Sequence, residues 1–225
     1  MLTNSNETPT LPERHAVLVL AAGESTRLGQ PKQLLTKQGV PLVRYIVGEA
    51  LKTHPLQVLV VVGAQALGTG SGAIVKESAS ASASAVRDAL DGLPITFAVN
   101  PAPSRGMASS LQIGAAALHK HHNRVLILCI DQPQLTLSHL ERLMAEGLAH
   151  PDDEIVSSYA ETIGMPVLIH SDVLARSFEL TGDLGLKGLL QAHPEKLICV
   201  SFPELGFDVD NDDDLKIAQK EGWIE

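Results

Sequence analysis

Between Leu20 and Leu35 the chain reads LAAGESTRLGQPKQLL, which gathers small residues, hydroxyls and two cations in one short stretch. Ala21, Ala22 and Gly23 let a backbone approach a ligand closely. Ser25 and Thr26 supply hydroxyls, Gly29 permits a turn, and Arg27 and Lys32 add a planar guanidinium and an ammonium. A triphosphate is held by such a set of backbone donors and cations. Neither common glycine-rich phosphate motif is present. Gly29 is followed by Gln30 where a P-loop needs lysine, and only Gly23 and Gly29 stand where GxGxxG needs three glycines. The same residues also suit a surface turn with two solvated cations, so composition leaves both readings open.

Carboxylates supply the second chemical signal. Asp131 follows the apolar run VLILCI and opens Asp131-Gln132-Pro133. Mg²⁺ is usually held by one or two carboxylates together with phosphate oxygens and water, and an aspartate at the end of a central strand can present such a ligand. An aspartate there can equally cap the next turn. Asp208 and Asp210 alternate along an extended piece of GFDVDNDDDL, and either could supply a second carboxylate. Asp212 to Asp214 read as caps of a last helix, where acidic groups are favoured. His119, His121 and His122 follow a helical segment and read as cations near its C-terminus rather than as metal ligands. Asp152, Asp153 and Glu154 read as a solvated turn, and Trp223, without an aromatic companion in the sequence, as a packing anchor for the last helix.

The elements that must position these groups follow from short apolar runs. HAVLVLA (15–21), QVLVVVG (57–63), PITFAVN (94–100) and NRVLILCID (123–131) have the continuous hydrophobicity of buried strands. Helical patterns fall between them: one opened by Pro41 and running to Thr53, one from Gly106 to His121, and Leu137–Ala149. EIVSSYA and MPVLIH read as a strand pair around a turn containing Gly164. Two short helices, a strand at 196–202 and a closing helix through Leu215–Lys220 complete the chain. The alternation predicts an α/β fold: one domain over 15–225, three layers, with a mostly parallel central sheet and helices on both faces. Ligands of such sheets bind at the rim formed by the strands' C-terminal ends. Residues 1–14 read as a flexible tail, and the Ser/Ala-rich segment 68–88 as a mobile surface loop.

Composition excludes some partners. The 225 residues are 44% hydrophobic and carry a formal net charge of −9, which argues against nucleic acid or an anionic membrane as partner. A small anion held by local cations remains compatible. The two cysteines, Cys129 and Cys199, sit apart in apolar runs and read as buried structural thiols. The polar N-terminus lacks the apolar core of a secretory signal, and no apolar run reaches the ~20 residues of a membrane span. The expected location is the cytoplasm.

Six motifs in register make the chain resemble the MobA/MocA-like nucleotidyltransferases, the branch that includes molybdenum cofactor cytidylyltransferases. LAAGESTRLGQPK fits the form LAAGxSxRxGxxK. GMASSL (106–111), Asp131-Gln132-Pro133, Gly164-Met165-Pro166, GDLGLKGLL (182–190) and a DxDxxxDL ending at Leu215 follow in order, so the match extends from Val17 to Leu215. The resemblance implies a Rossmann-like nucleotidyltransferase fold that binds an NTP, with Mg²⁺ as cofactor. It places Leu20, Ala21, Ala22, Gly23, Ser25, Arg27, Lys32, Asn100, Gly106, Ser109 and Ser110 around the nucleotide. Gly23, Ser25 and Arg27 would hold phosphates, and Ser109 and Ser110 would lie near the nucleoside. Arg27, Lys32 and Asp131 would be catalytic, with Lys32 near the α-phosphate. Asp131 would bind the metal, completed by Asp208 or Asp210, with Asp208 ranked ahead. Gly182, Asp183 and Lys187 would meet the acceptor.

Users of CTP tend to have AAG where GTP users have AGG, so Ala21-Ala22-Gly23 leans towards cytidine. The implied reaction is transfer of CMP to a phosphorylated small molecule, molybdopterin above all, with a molybdoenzyme as possible client. Two other readings remain: transfer to a sugar or polyol phosphate, and a non-catalytic accessory protein that binds nucleotide. The departures fall on the acceptor side. Lys187 stands where arginine is expected, which loses a bidentate fork, and ETIG before Met165 offers no histidine or arginine.

Overall fold

The first apolar run becomes β1 (His15–Ala21), buried along its whole length. Because successive strand residues face opposite sides, Val17, Val19 and Ala21 enter one core while Ala16, Leu18 and Leu20 enter another. A strand buried on both faces demands a helix layer on each, and the rest of the chain supplies them. The structure is a computed structural model that describes residues 14–63, 85–118, 122–159, 161–180 and 185–225.

After β1, the strands β2 (Thr36–Lys37) and β3 (Val40–Pro41) form a small antiparallel ribbon. There follow α1 (Leu42–Leu51), β4 (Gln57–Gly63), β5 (Thr96–Asn100), α2 (Met107–Ala117), β6 (Arg124–Cys129) and α3 (Leu137–Ala149). β7 (Glu154–Tyr159), β8 (Thr162–His170), α4 (Ser171–Ala175), α5 (Leu186–Gln191), β9 (Leu197–Ser201) and α6 (Asp212–Lys220) complete the order. Among the described residues seven strands form one sheet, in the order β5-β4-β1-β6-β8-β7-β9. β5, β4, β1 and β6 run parallel, β8 is antiparallel to both its neighbours, and β9 pairs parallel with β7. This is the expected single α/β domain with a mostly parallel, mixed sheet. Buried residues of α1, α3 and α6 cover one face, and those of α2, α4 and α5 the other.

Packing on the second face depends on Gly114. A Cβ there would stand 2.6 Å from Leu18 Cδ2, so the glycine lets α2 lie close against β1. At its opposite end α2 starts at Gly106, whose φ of 83° is a conformation side chains disfavour.

Several expectations need correction. Gly164 is not in the turn between β7 and β8 but within β8, opposite Ser157. The turn includes Glu161, at φ 62°. What requires glycine at 164 is close approach: a Cβ would fall 1.9 Å from the Tyr159 phenol oxygen. Cys129 is buried as expected, but Cys199 is exposed, because β9 is the last strand of the sheet and this residue faces away from Val200. The N-cap of α6 is Asn211, whose side chain accepts from Asp213 N and Asp214 N; of the three aspartates expected to cap the helix, Asp214 closes the capping box by accepting from Asn211 N, and Asp212 and Asp213 lie in the first turn. Pro41 is the residue before α1 and pairs with Thr36 in the ribbon. Trp223 is a packing anchor, yet it has an aromatic companion, Phe207, edge-on at 5.0 Å between ring centroids.

Residues 1–13 of the expected tail, 68–84 of the Ser/Ala-rich segment, His119, His121, Gly182 and Asp183 lie outside the described residues. The described end of that segment, 85–88, is not loop but part of a helical turn over 85–89. Among the described residues no helix is long and apolar enough to cross a membrane.

Candidate functional site

Four parallel strands end on one rim, at Ala21, Gly63, Asn100 and Cys129, and the loops that leave them carry most of the expected site. The loop after β1 is held from within. Ser25, at φ 50°, accepts at its carbonyl from Leu28 N and Gly29 N, each at 3.1 Å, and its hydroxyl accepts from Lys32 N at 3.2 Å. The buried Gln33 donates from Nε2 to the carbonyls of Ala21 and Gly23, both at 2.9 Å. These bonds fix the backbone at Ala22 and Gly23 and turn Lys32 inward, where only 8% of the residue stays exposed.

Lys32 is the electrostatic hub. Its Nζ donates to Asp210 Oδ1 at 2.8 Å and lies 3.6 Å from Asp131 Oδ2. Burial would lower the affinity of this ammonium for its proton, but the charges of Asp131, Asp210 and Asp208 outweigh burial and hold it above the usual lysine value. The hydrogen bond from Lys32, opposed by burial and aided by the charges of Lys32 and Arg27, holds the Asp210 carboxyl below its usual range. Arg27 lies 3.8 Å from Asp210 with 76% of its side chain exposed, so it stands at the mouth of the site.

Asp208 is treated differently. Burial of its carboxyl, then the like charges of Asp131 and Asp210, push it up to about 7, only partly offset by Lys32. Its segment is drawn to the sheet by Val209 N, which donates to Asp131 O at 2.9 Å. Asp131 and Asp208 thus face one cavity as like charges, while Asp210 is already matched by two cations. Carboxylates crowded in this way suit a hard divalent cation, and Asp208 is the freer partner for Asp131. Among the described residues no cluster of three or more His, Cys, Asp or Glu side chains is arranged to hold a metal. Phosphate and water oxygens would therefore have to complete any coordination shell.

Two cavities meet at Asp131. The smaller, of about 260 Å³, is lined by Leu20, Ala22, Gly23, Lys32, Gly106 and Ser110. The larger, of about 290 Å³, is lined by Tyr159, Gly164, Met165, Leu186, Lys187 and Asp208. Met107, Cys129 and Asp131 belong to both walls. Gly23 leaves open space where a Cβ would stand. Burial and the nearby Asp131 push the Cys129 thiol well above its ordinary range, so it stays protonated and serves as wall, not nucleophile.

Not every expected residue lines these cavities. Asn100, 1% exposed, donates from Nδ2 to the hydroxyls of Ser109 and Ser110 at 2.8 and 2.9 Å and accepts from Ala102 N. Ser109 donates to Gly106 O at 2.8 Å. Asn100 and Ser109 therefore brace the turn that presents Gly106 and Ser110. Ala21 is fully buried in β1, and the Ser25 hydroxyl is engaged within its own loop. Lys187 reaches the larger cavity and bonds Thr162 Oγ1.

Residue-by-residue reading missed three contributors. Met107 divides the cavities, Gln132 is buried behind Asp131, and Tyr159 presents a phenol whose value is raised to about 12 by burial and then by Asp208. Gln132 carried a signal in Asp131-Gln132-Pro133 and Met107 in GMASSL, while Tyr159 carried none.

Residues 17–197 match the family model of the MobA-like NTP transferase domain. The chain belongs to this family. A curated relative of this MobA-like NTP transferase, the bifunctional protein GlmU of Syntrophotalea carbinolica, is 35% identical over 133 residues, 58% of this chain and 25% of that protein. The chain thus spans about a quarter of the length of the curated relative it matches. The solved structure of Rv0371c from Mycobacterium tuberculosis H37Rv superposes with a TM-score of 0.73 at 26% identity, covering 93% of this chain and 100% of that one. A structure of Rv0371c in complex with manganese gives 0.67 at 24%, covering 92% and 98%. Molybdopterin-guanine dinucleotide biosynthesis protein A of Archaeoglobus fulgidus shares the fold, with a TM-score of 0.58 at 18% identity over 92% and 97%.

Proposed function

We propose that this MobA-like NTP transferase moves a nucleoside monophosphate, by preference CMP from CTP, onto the phosphate of a molybdopterin-type acceptor and releases pyrophosphate. The observation that carries this reading is the pair of cavities sharing Asp131, with Lys32 in the wall of the smaller one. One would take the NTP and the other the acceptor, so that the two phosphates meet at the shared wall.

An acceptor phosphate oxygen attacks the α-phosphorus, the bond from that phosphorus to the bridging oxygen breaks, and pyrophosphate leaves with the electron pair. A phosphate monoester is largely ionised near neutrality, so no strong base is needed. Positioning and charge then dominate the barrier. Ala22, Gly23 and Gly106 bring backbone close to the nucleotide, and Lys32 takes up charge near the α-phosphate. Arg27 guides the leaving pyrophosphate at the mouth. Asp131 and Asp208 would hold a divalent cation, Mg²⁺, which when bound neutralises the α-phosphate and the incoming phosphate. The manganese complex of the mycobacterial relative agrees with a divalent ion. Ala22, whose methyl narrows the smaller cavity, supports cytosine over a purine.

Lys187 favours a second reading. Its bond to Thr162, in place of an arginine fork, leaves room for a sugar or polyol phosphate as acceptor. Calorimetry with CTP, GTP and ATP plus Mg²⁺, followed by pyrophosphate release with molybdopterin and with sugar and polyol phosphates, tests both. CTP binding that disappears in Asp131→Ala, with turnover on molybdopterin, is expected. Binding of no NTP would overturn the proposal, and turnover on a sugar phosphate alone would replace the acceptor.

A further inference from the structure

The larger cavity contains a polar device that phosphate chemistry does not use. Tyr159 ends β7, and its ring projects beside Gly164 and Gly206, where added Cβ atoms would lie 1.9 Å from the phenol oxygen and 3.4 Å from the ring's Cδ2. At Gly164 a side chain would displace the ring, whereas at Gly206 a Cβ would only touch it. Behind it, Gln132 is 2% exposed. Its Nε2 donates to Met165 O at 2.9 Å and Leu205 O at 2.8 Å, and lies 3.3 Å from the Tyr159 oxygen. An Nε2 flanked by two carbonyls cannot be exchanged for the amide oxygen without repulsion, so the group facing Tyr159 is a donor. Its two protons go to those carbonyls, so the phenol oxygen receives only a long, shared contact at 3.3 Å. Among the described residues no protein acceptor takes the phenol's own proton, and the residue lines the cavity.

We propose that Tyr159, oriented by Gln132 and given room by Gly164, determines acceptor specificity by donating a hydrogen bond to a carbonyl oxygen or ring nitrogen on the acceptor's body, away from its phosphate. This deepens the reading of the larger cavity as the acceptor site and rests on it. The surroundings say what kind of body is read. Met107, Met165, Val167, Leu186 and Leu190 give apolar walls, and Lys187 is the cation of this cavity. Such a site suits a flat heterocycle with a few hydrogen-bond acceptors. A polyhydroxylated ring would leave most of its hydroxyls facing apolar walls, at a cost. A site built to hydrogen-bond one substrate group discriminates against analogues that lack it.

The test compares wild type with Tyr159→Phe, which keeps the ring and its packing, and with Gly164→Ala, which displaces it. Pyrophosphate release is followed with CTP and Mg²⁺ against molybdopterin and against a panel of sugar and polyol phosphates. Tyr159→Phe is expected to raise the KM for molybdopterin about tenfold, the worth of one hydrogen bond, with KM for CTP unchanged. Gly164→Ala should shift the same constant at least as far, and the double variant no further than Gly164→Ala alone. An unchanged molybdopterin KM in Tyr159→Phe, with wild type active, overturns this inference and leaves the proposed function standing. Equal changes in the constants for CTP and acceptor also overturn it, since they mark a structural role. Turnover only on sugar or polyol phosphates overturns the heterocycle assignment. No turnover with any acceptor overturns the function itself and this inference with it.

Discussion

Lys32 is asked to do two things, and they can be separated by measurement. It holds the loop after β1 against Asp210, and it supplies the buried positive charge beside Asp131. Lys32→Ala should lower kcat by about 10²–10³, the usual effect of removing one preorganised electrostatic group, in a pyrophosphate-release assay. Lys32→Arg should recover little, because a planar fork does not fit a socket shaped for an ammonium. Asp208 gives a prediction of opposite character. Its carboxyl, ordinarily near 3.8, is raised to about 7 in the folded protein. Between those values the folded protein keeps a proton that the unfolded chain releases, so stability is lost as pH rises through that window. Asp208→Asn should therefore raise Tm at about pH 8, and the gain should vanish near about pH 4, as read by thermal melts across pH. A variant less stable than wild type at about pH 8 would contradict the crowding of carboxylates.

Among the elements, the strands written in β-branched residues were readable to the residue: His15–Ala21 and Gln57–Gly63 begin and end where their apolar runs do. Helix α3 was equally plain, and its cap explains why. Thr136 and the His139 side chain close a capping box before Leu137. A glycine whose reason is a distant contact cannot be read from its own window. Gly164 looks like a turn residue in any short window, since nothing local says that a phenol will lie over it. Gly114 sits inside a helix, where glycine costs about 1 kcal/mol against alanine, and its reason is Leu18 on a distant strand. Gly114→Val should push α2 from β1 and destabilise by about 1–3 kcal/mol in chemical denaturation. Because α2 begins at Gly106 beside Ser110, the same change should weaken NTP binding. Asn211→Ala is the matched control: loss of the α6 cap costs about 1 kcal/mol, and NTP affinity should hold.

At the scale of the molecule, the motif order foretold a fold, a family and the cavity wall around Asp131, because those residues follow directly on strand ends in the chain. The second cavity was less readable. It is assembled from β8, which runs against its neighbours, and from side chains such as Tyr159 that no motif connects to Asp131. The net charge of −9 bears on how an anionic nucleotide reaches this rim. Long-range repulsion opposes the encounter, while Arg27, 76% exposed at the mouth, is a local attraction. Raising ionic strength from about 0.01 to 0.15 M shortens the screening length from about 30 to 8 Å, which removes the distant repulsion more than the contact with Arg27. Stopped-flow association of Mg²⁺-CTP should therefore quicken with salt over that range. Arg27→Ala should slow association and make its rise with salt steeper, because only repulsion is then left to screen. An association rate that falls with salt would show that the local cations outweigh the charge of the whole chain, and would move the steering role from Arg27 to the combined field of the rim.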